Sequence, residues 1–335
     1  MFRVLRPTAS LLLVLTALTL GGCDAGSMAA IEPKPHSSVG ASGIPITVSP
    51  TPPVRSSAAC RLPVTWGGSD GVAGGGGFIN FPGGAFETDP SAHPTTPFGS
   101  VGLSYDRSAS RWIPVPGRHA SLDGSTYIYY APRKGVEIHA VSVRTGADIV
   151  LARDQDQMWD PIGLDNRFVY AMLGATSQAT DLWRIPLDGG KASQVTTGGH
   201  WLAVTAGSAW GTDADLPSGM PLLLTRLDLT TGQTTRWGSF DDNATLLGFD
   251  AVGWPVMTLG DIDGAVVVLP SAGVMRGVAR LVLPLRPGYD HYAPAGALGD
   301  AHGIWLTGAD GIYLSVDGNA TKVSSVHAFP AGTCG

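Results

Sequence analysis

Charged residues are scarce in this sequence of 335 residues: Asp, Glu, Lys and Arg make up only 14% of it, against 46 Gly and 25 Pro. Helices on the surface of a soluble protein usually carry many Glu, Lys and Arg, so this composition disfavours a helical protein. It favours an all-β structure of short strands joined by turns. The formal net charge of −6 also lacks the basic surface that binding to nucleic acid or to anionic lipid requires.

Long hydrophobic runs are missing from the sequence after residue 22, so no later segment is predicted to cross a membrane. The one such run, Leu11–Leu20, follows Arg3 and Arg6 and is short for a bilayer span. A positive start and a short apolar stretch are typical of a secretory signal. The next residues, Gly21-Gly22-Cys23, resemble the lipobox of bacterial lipoproteins. This resemblance implies cleavage before Cys23 and lipidation of that cysteine.

The lipoprotein resemblance implies a protein held by lipid at the extracytoplasmic face of the cell membrane. Two or more acyl chains anchor a protein stably, at ~0.8 kcal/mol per buried CH2. The alternative is an ordinary signal peptide followed by a coincidental cysteine. Residues 24–59 are rich in Pro, Ser, Thr and Gly and cannot build a core, which predicts a semi-extended stalk. The expected organisation is a signal peptide (1–22), lipidated Cys23 with its stalk (23–59) and one domain (60–335).

The sequence contains only three cysteines, and Cys60 and Cys334 remain if Cys23 carries lipid. An oxidising exterior allows these two to pair, and they bracket nearly all of the predicted domain. A bond across so long a loop would remove ~5 kcal/mol of unfolded-chain entropy in the chain-entropy model. The alternative is two free thiols.

The predicted domain repeats a pair of short strands around a tight turn that contains glycine. The turn glycines are spaced 43, 43, 41 and 45 residues apart, at Gly146, Gly189, Gly232, Gly273 and Gly318. Another apolar strand and a short leader segment precede each pair, which gives four strands per repeat. Four-stranded units of 40 to 50 residues are typical of β-propeller blades. Gly77–Phe81 and the hairpin 101–115 are interpreted as one irregular additional copy, for six blades in all.

The segment Leu182–Lys191 resembles the repeat of TolB-like and WD40-like (PD40) six-bladed propellers. The resemblance covers about 270 residues as an architecture and implies a fold rather than an activity, because the family includes binding proteins, peptidase gating domains and sugar-handling modules. A ring closes only if its first and last blades meet. A bond between Cys60 and Cys334 would lock that junction.

Polar residues precede the leader segments of four repeats, at His119, Asp160, His200 and His291. Because leaders line the central channel of a propeller, these four residues are expected to gather at one mouth of it, where they would bind a polar ligand or a divalent metal. Further candidates for a ligand-binding rim are Trp159, Trp201, Tyr289, Asp290 and Tyr292. The alternative is that polar and aromatic residues simply occupy the loops at the ends of a propeller.

No catalytic residue, metal ligand or cofactor is assigned from the sequence. Gly67–Gly71 matches the letters of G-x-S-x-G, but the glycine run after it cannot form the helix that a nucleophile elbow needs. The favoured function is a monomeric binding module for a protein, peptide or glycan. The alternatives are a metal-dependent hydrolase or lyase at the channel mouth and a structural envelope lipoprotein. A metal enzyme needs several inward carboxylates, and Asp160 is the one good candidate.

Overall fold

In a computed structural model of the chain, β-strands dominate. The described residues are 58–67, 73–93, 102–121, 123–131, 136–154, 159–173, 181–212, 222–240, 244–259, 264–281 and 296–335. They form strands and a single 3-10 turn, Gly117–His119, without any α-helix. Accordingly, the described part of the chain contains no helix that is both long and apolar enough to span a membrane. The all-β prediction is confirmed.

The strands are short and follow one another along the whole described chain. The first twelve are β1 Cys60–Gly67, β2 Ala73–Phe81, β3 Ala85–Thr88, β4 Ser104–Asp106, β5 Arg111–Ile113, β6 Thr126–Ala131, β7 Val136–Ser142, β8 Asp148–Asp154, β9 Trp159–Leu164, β10 Phe168–Leu173, β11 Asp181–Pro186 and β12 Ser193–Thr196. The others are β13 His200–Thr205, β14 Ser208–Thr212, β15 Leu222–Asp228, β16 Thr234–Phe240, β17 Thr245–Phe249, β18 Pro255–Leu259, β19 Ala265–Ser271, β20 Val274–Arg280, β21 Ala297–Asp300, β22 Gly303–Gly308, β23 Gly311–Val316, β24 Asn319–Ser324 and β25 Phe329–Pro330.

Consecutive strands form antiparallel sheets in the order in which they occur along the chain. Four sets have four strands each, β9 to β12, β13 to β16, β17 to β20 and β21 to β24, and the last two sets are joined by a short parallel pairing of β17 with β21. β6, β7 and β8 form a three-stranded sheet. All five hairpins predicted from the glycine spacing are confirmed. Their glycines have φ between +69° and +83°, a region that glycine enters without steric cost.

The irregular copy differs from the prediction, because its two parts lie in different sheets. Gly77–Phe81 belongs to β2, which pairs with β1 on one side and β3 on the other. β25, from the far end of the chain, completes this sheet by pairing with β1. β4 and β5, the predicted hairpin, form a separate two-stranded sheet. The interpretation as one repeat was wrong because both edges of β2 are taken by strands that local sequence did not identify.

Each sheet packs face to face against the next one through a cluster of buried side chains. Trp210 and Trp237, from the sheet of β13 to β16, pack on Met257 and Val267 of the following sheet. In the described residues, clusters of this kind join every pair of successive sheets from β4–β5 to β21–β24. Two more join the sheet of β1 to both of its neighbours, the β4–β5 sheet and the sheet of β21 to β24. Both faces of each sheet are therefore used in the core.

The two ends of the described chain meet in one sheet and are covalently linked. Cys60, the first residue of β1, forms the predicted disulfide with Cys334, and their Cα atoms are 5.5 Å apart. Asp300 supports this junction: its Oδ2 accepts hydrogen bonds from the backbone N–H of Cys334 at 2.8 Å and from Nε1 of Trp305 at 2.7 Å. Strand pairing, a covalent bond and a buried carboxylate thus hold the junction together.

Candidate functional site

Three of the four polar residues that precede the leaders lie in neighbouring elements. β9 begins with Trp159 and Asp160, and it contacts both the 3-10 turn that ends at His119 and the strand β13 that begins at His200. β9 and β13 come so close that a Cβ atom added to Gly163 would lie 3.1 Å from Cβ of Val204. The leader strands β9 and β13 therefore lie close together. His119, Asp160 and His200 lie on adjacent elements.

His119 is not available to a ligand, contrary to the expectation from sequence. Its side chain is buried, and Nε2 donates a hydrogen bond to the carbonyl oxygen of Pro161 at 2.9 Å. Burial lowers the pKa of His119 to about 3, with a smaller contribution in the same direction from the positive charge of Arg118. A neutral imidazole in this position ties the 3-10 turn to β9, so His119 has a structural role.

Asp160 is the half-buried carboxylate at this end of β9. Burial raises its pKa above the ordinary value, and the positive charges of Arg118 and His200 partly offset that effect. The charged side chains that act on this carboxyl belong to Arg118, next to the buried His119, and to His200. His200 is itself half-buried, and its Nδ1 is 3.5 Å from Oγ1 of Thr212. Arg118, Asp160 and His200, hereafter the Asp160 cluster, combine a carboxylate with two cationic or potentially cationic side chains.

The two tryptophans expected at the rim are turned into the core instead. Trp159 is buried and packs edge-on against Trp183, with ring centroids 6.0 Å apart. Trp201 is buried in the cluster between the sheets that begin with β9 and β13, and its Nε1 donates to the carbonyl of Gly198 at 3.1 Å. Burying an indole gains more apolar contact than leaving it at a loop end. Neither ring presents a face on which a sugar could stack.

The remaining candidates lie outside the described residues: Cys23, Tyr289, Asp290, His291 and Tyr292. Ser69 of the G-x-S-x-G match also lies outside them. Within the described ranges, no group of three or more His, Cys, Asp or Glu side chains is arranged to hold a metal ion.

Sequence reasoning missed a second polar cluster, on the three-stranded sheet. At its centre is His139, whose Nδ1 lies 2.9 Å from Oδ1 of Asp148 and whose Nε2 lies 3.2 Å from Oε2 of Glu137. The ring of Tyr129 stacks on the imidazole with centroids 4.7 Å apart, and its hydroxyl donates to Asp148 at 2.6 Å. Arg153 pairs with Glu137. The members come from three consecutive strands, β6, β7 and β8, and the pairing of these strands brings the side chains together.

A set of turn aspartates was also missed, although the sequence contained a signal for them. Asp165 and Asp250 follow the leader strands β9 and β17, and each accepts backbone N–H groups two or more residues further on. Asp300, the last residue of β21, accepts the backbone N–H of His302 in the same way. The recurrence of Asp at the end of a leader would have predicted such Asx turns. These residues shape the turns and do not form a ligand site.

No protein-family model matches this sequence, and no curated protein matches it either. Several solved structures are similar at low identity. TolB from Acinetobacter baumannii is 13% identical over 79% of this chain and 67% of its own, with a TM-score of 0.44. A gluconolactonase from Xanthomonas campestris is 14% identical over 85% of this chain and 89% of its own, with a TM-score of 0.41. A prolyl endopeptidase is 12% identical over 74% of this chain and 46% of its own, with a TM-score of 0.46. Similarity at this level identifies no activity or ligand.

Proposed function

We propose that this protein is a lipid-tethered, extracytoplasmic binding module that recognises a protein or peptide through the Asp160 cluster. The proposal has three parts, which are a closed ring of sheets, a polar recognition site at the start of the leader strands, and a lipid anchor at Cys23. Each part rests on different residues and is tested separately.

The proposed ring is a β-propeller in which the sheet of β1, β2, β3 and β25 joins the two ends of the chain. Its support is the packing of each sheet on the next, including the contact between Leu62 of β1 and the cluster of Trp305 in the preceding sheet. Because β4 and β5 form their own short sheet, the described strands favour a ring of seven sheets over the six predicted from sequence. A ring of this kind brings the leader strands together at one axis.

The single observation that carries the recognition site is the environment of Asp160. A half-buried carboxylate loses part of its hydration, and burial accordingly raises the pKa of this group. Groups with a perturbed pKa concentrate at functional sites, where a bound ligand can replace the hydration that burial removes. A peptide offers N–H donors for Asp160 and a carbonyl acceptor for His200. With Trp159 and Trp201 buried, a stacked glycan has less support.

Replacing Asp160 with Asn is expected to separate binding from stability. The raised pKa means that the ionised carboxylate destabilises the fold at neutral pH, so D160N should melt at the same or a higher temperature than the wild type. Peptides selected from a random display library on the full-length chain should bind D160N at least ~10-fold more weakly in calorimetric titrations. The matched control is D188N, which alters an exposed carboxylate in a hairpin turn. Equal affinity for D160N and wild type, or a library that yields no binder, would refute this site.

Replacing Cys23 with Ser is expected to move the protein from the membrane fraction to the soluble fraction. Without the thiol no acyl chain can be attached, and a chain with a net charge of −6 has little affinity of its own for anionic lipid. Fractionation of expressing cells followed by mass analysis of the N-terminal peptide measures both the partition and the modification. S27A is the control for a change near the site. An unmodified N-terminus in the wild type would show that Cys23 is not an anchor.

A further inference from the structure

Among the described strands, β8 has an outer edge with which no other strand pairs, and it carries exposed apolar residues. β8 is the outer strand of the three-stranded sheet and pairs along one side with β7. Ile149 and Val150 are 48% and 43% exposed, which puts them among the most exposed large apolar side chains in the described residues. A shallow groove runs along the same strand from Val150 to Arg153. An exposed edge of this kind offers backbone N–H and C=O groups for pairing with another strand.

The outer strands of the other large sheets lack the uninterrupted apolar segment that β8 has, although one of them, β12, carries no charged residue. Charged side chains on an edge strand prevent pairing between molecules. Four of these strands carry such residues within their length, namely Glu87 in β3, Arg236 in β16, Arg276 in β20 and Lys322 in β24. β8 also carries charged residues, Asp148, Arg153 and Asp154, but they lie at its two ends and leave four apolar residues, Ile149 to Ala152, uninterrupted between them. The edge of β8 is therefore suited to association.

The charges that flank this apolar segment are self-complementary. Asp148 precedes it and Arg153 follows it, and their side chains are 42% and 59% exposed. Asp148, Val150 and Arg153 pair with Val141, His139 and Glu137 of β7, so all three lie on one face despite the bulge at Leu151. In an antiparallel pair related by a two-fold axis, Asp148 of each copy stands opposite Arg153 of the other, because antiparallel strands reverse their order.

We propose that a second copy of this chain pairs with the first through antiparallel β8 strands, which gives a symmetric dimer. The apolar residues meet at the centre, and two Asp148–Arg153 contacts across the interface fix the register. A parallel arrangement would place like charges together and is disfavoured. A contact made by one pair of strands is small, so the dimer should be reversible and dependent on protein concentration. This inference does not depend on the Asp160 cluster or on the nature of its ligand.

Sedimentation velocity of the full-length chain over a range of concentrations tests the proposal, in a non-ionic detergent that accommodates the apolar N-terminal segment. The wild type should change from monomer to dimer as concentration rises. V150K places a charge in the apolar segment and should raise the dissociation constant at least ~10-fold. V274K is the matched control, because Val274 is 49% exposed on β20, another outer strand. Unchanged melting temperatures for both variants verify that folding is intact. Association that persists equally in V150K would contradict the proposal.

Charge exchange tests the register directly. D148R and R153D should each weaken the dimer, because like charges would then face one another, and the double variant D148R/R153D should restore it.

A synthetic peptide of residues 147–154 should dissociate the wild-type dimer by occupying the same edge. Two results would overturn the proposal: a wild-type chain that stays monomeric at every concentration, and a double variant no better than either single one. A chain that stays monomeric but binds the peptide would mean that β8 accepts a foreign strand instead.

Discussion

Replacing Cys60 and Cys334 with Ala is expected to lower the free energy of unfolding by about 5 kcal/mol, the largest loss among the changes considered. The bond links residues 274 apart in sequence, so almost the whole domain lies inside the closed loop. Removing the bond mainly raises the conformational entropy of the unfolded chain, because the entropy of loop closure grows with loop length. Both cysteines are buried, and Ala leaves no unsatisfied polar group in their place.

Equilibrium unfolding in urea, followed by tryptophan fluorescence, measures this loss. The C60A/C334A variant is compared with wild type and with wild type under a reducing agent, which should show nearly the same midpoint as the variant. The junction should still form without the bond, because β1 still pairs with β25 and Asp300 still accepts the N–H of residue 334. A loss below ~1 kcal/mol would mean that the unfolded chain remains compact around this junction even without the bond.

Acidification below pH 6.5 is expected to destabilise the protein through His119, the second largest effect. The folded-state pKa of about 3 lies below the ordinary value of 6.5, so the unfolded chain binds a proton in this range and the folded chain does not. The stabilising contribution is complete above pH 6.5 and is lost as the pH falls toward 3, by up to ~1.4 kcal/mol per pH unit. Between pH 7 and pH 5 the loss from this one group should be ~2 kcal/mol.

Unfolding free energies measured from pH 7.5 to pH 5 isolate this contribution when wild type is compared with H119Q. The amide of Gln can still donate to Pro161, but it does not titrate. The slope of the unfolding free energy against pH should therefore decrease in H119Q by the contribution of about one proton. H93Q serves as the control, because His93 is exposed. If H119Q kept the slope of the wild type, the acid sensitivity would have to come from other groups.

The repeating hairpins could be predicted from sequence because their determinants are local. Gly146 and its four counterparts need a positive φ, and apolar residues alternate on either side of each of them. The link between Cys60 and Cys334 was also predictable, since only two cysteines remained after Cys23 was assigned to lipid. The candidate site was predicted in part: the order of the repeats placed His119, Asp160 and His200 at equivalent positions, and these positions do lie in adjacent elements.

The roles of the individual side chains at that site could not be predicted in the same way. His119 and His200 occupy equivalent positions, yet one imidazole is buried against Pro161 and the other is half-buried next to Thr212. Trp159 and Trp201 face the core because neighbouring sheets leave space for them there. Arg118 belongs to the cluster because it lies on the 3-10 turn that contacts β9 and its positive charge lowers the pKa of the Asp160 carboxyl. These outcomes depend on contacts between sheets.

The sequence by itself determined the strand-rich composition, the positions of the tight turns and the pairing of two cysteines, because backbone preferences and residue counts act over short distances. Only the tertiary structure decided that β25 completes the sheet of β1 and that β4 and β5 form a sheet of their own. It also decided that burial raises the pKa of Asp160, while Asp300 accepts hydrogen bonds from Trp305 and Cys334. Strand pairing and the desolvation of a side chain depend on residues far away in sequence. No local pattern specifies which distant residue will contact a given strand or side chain.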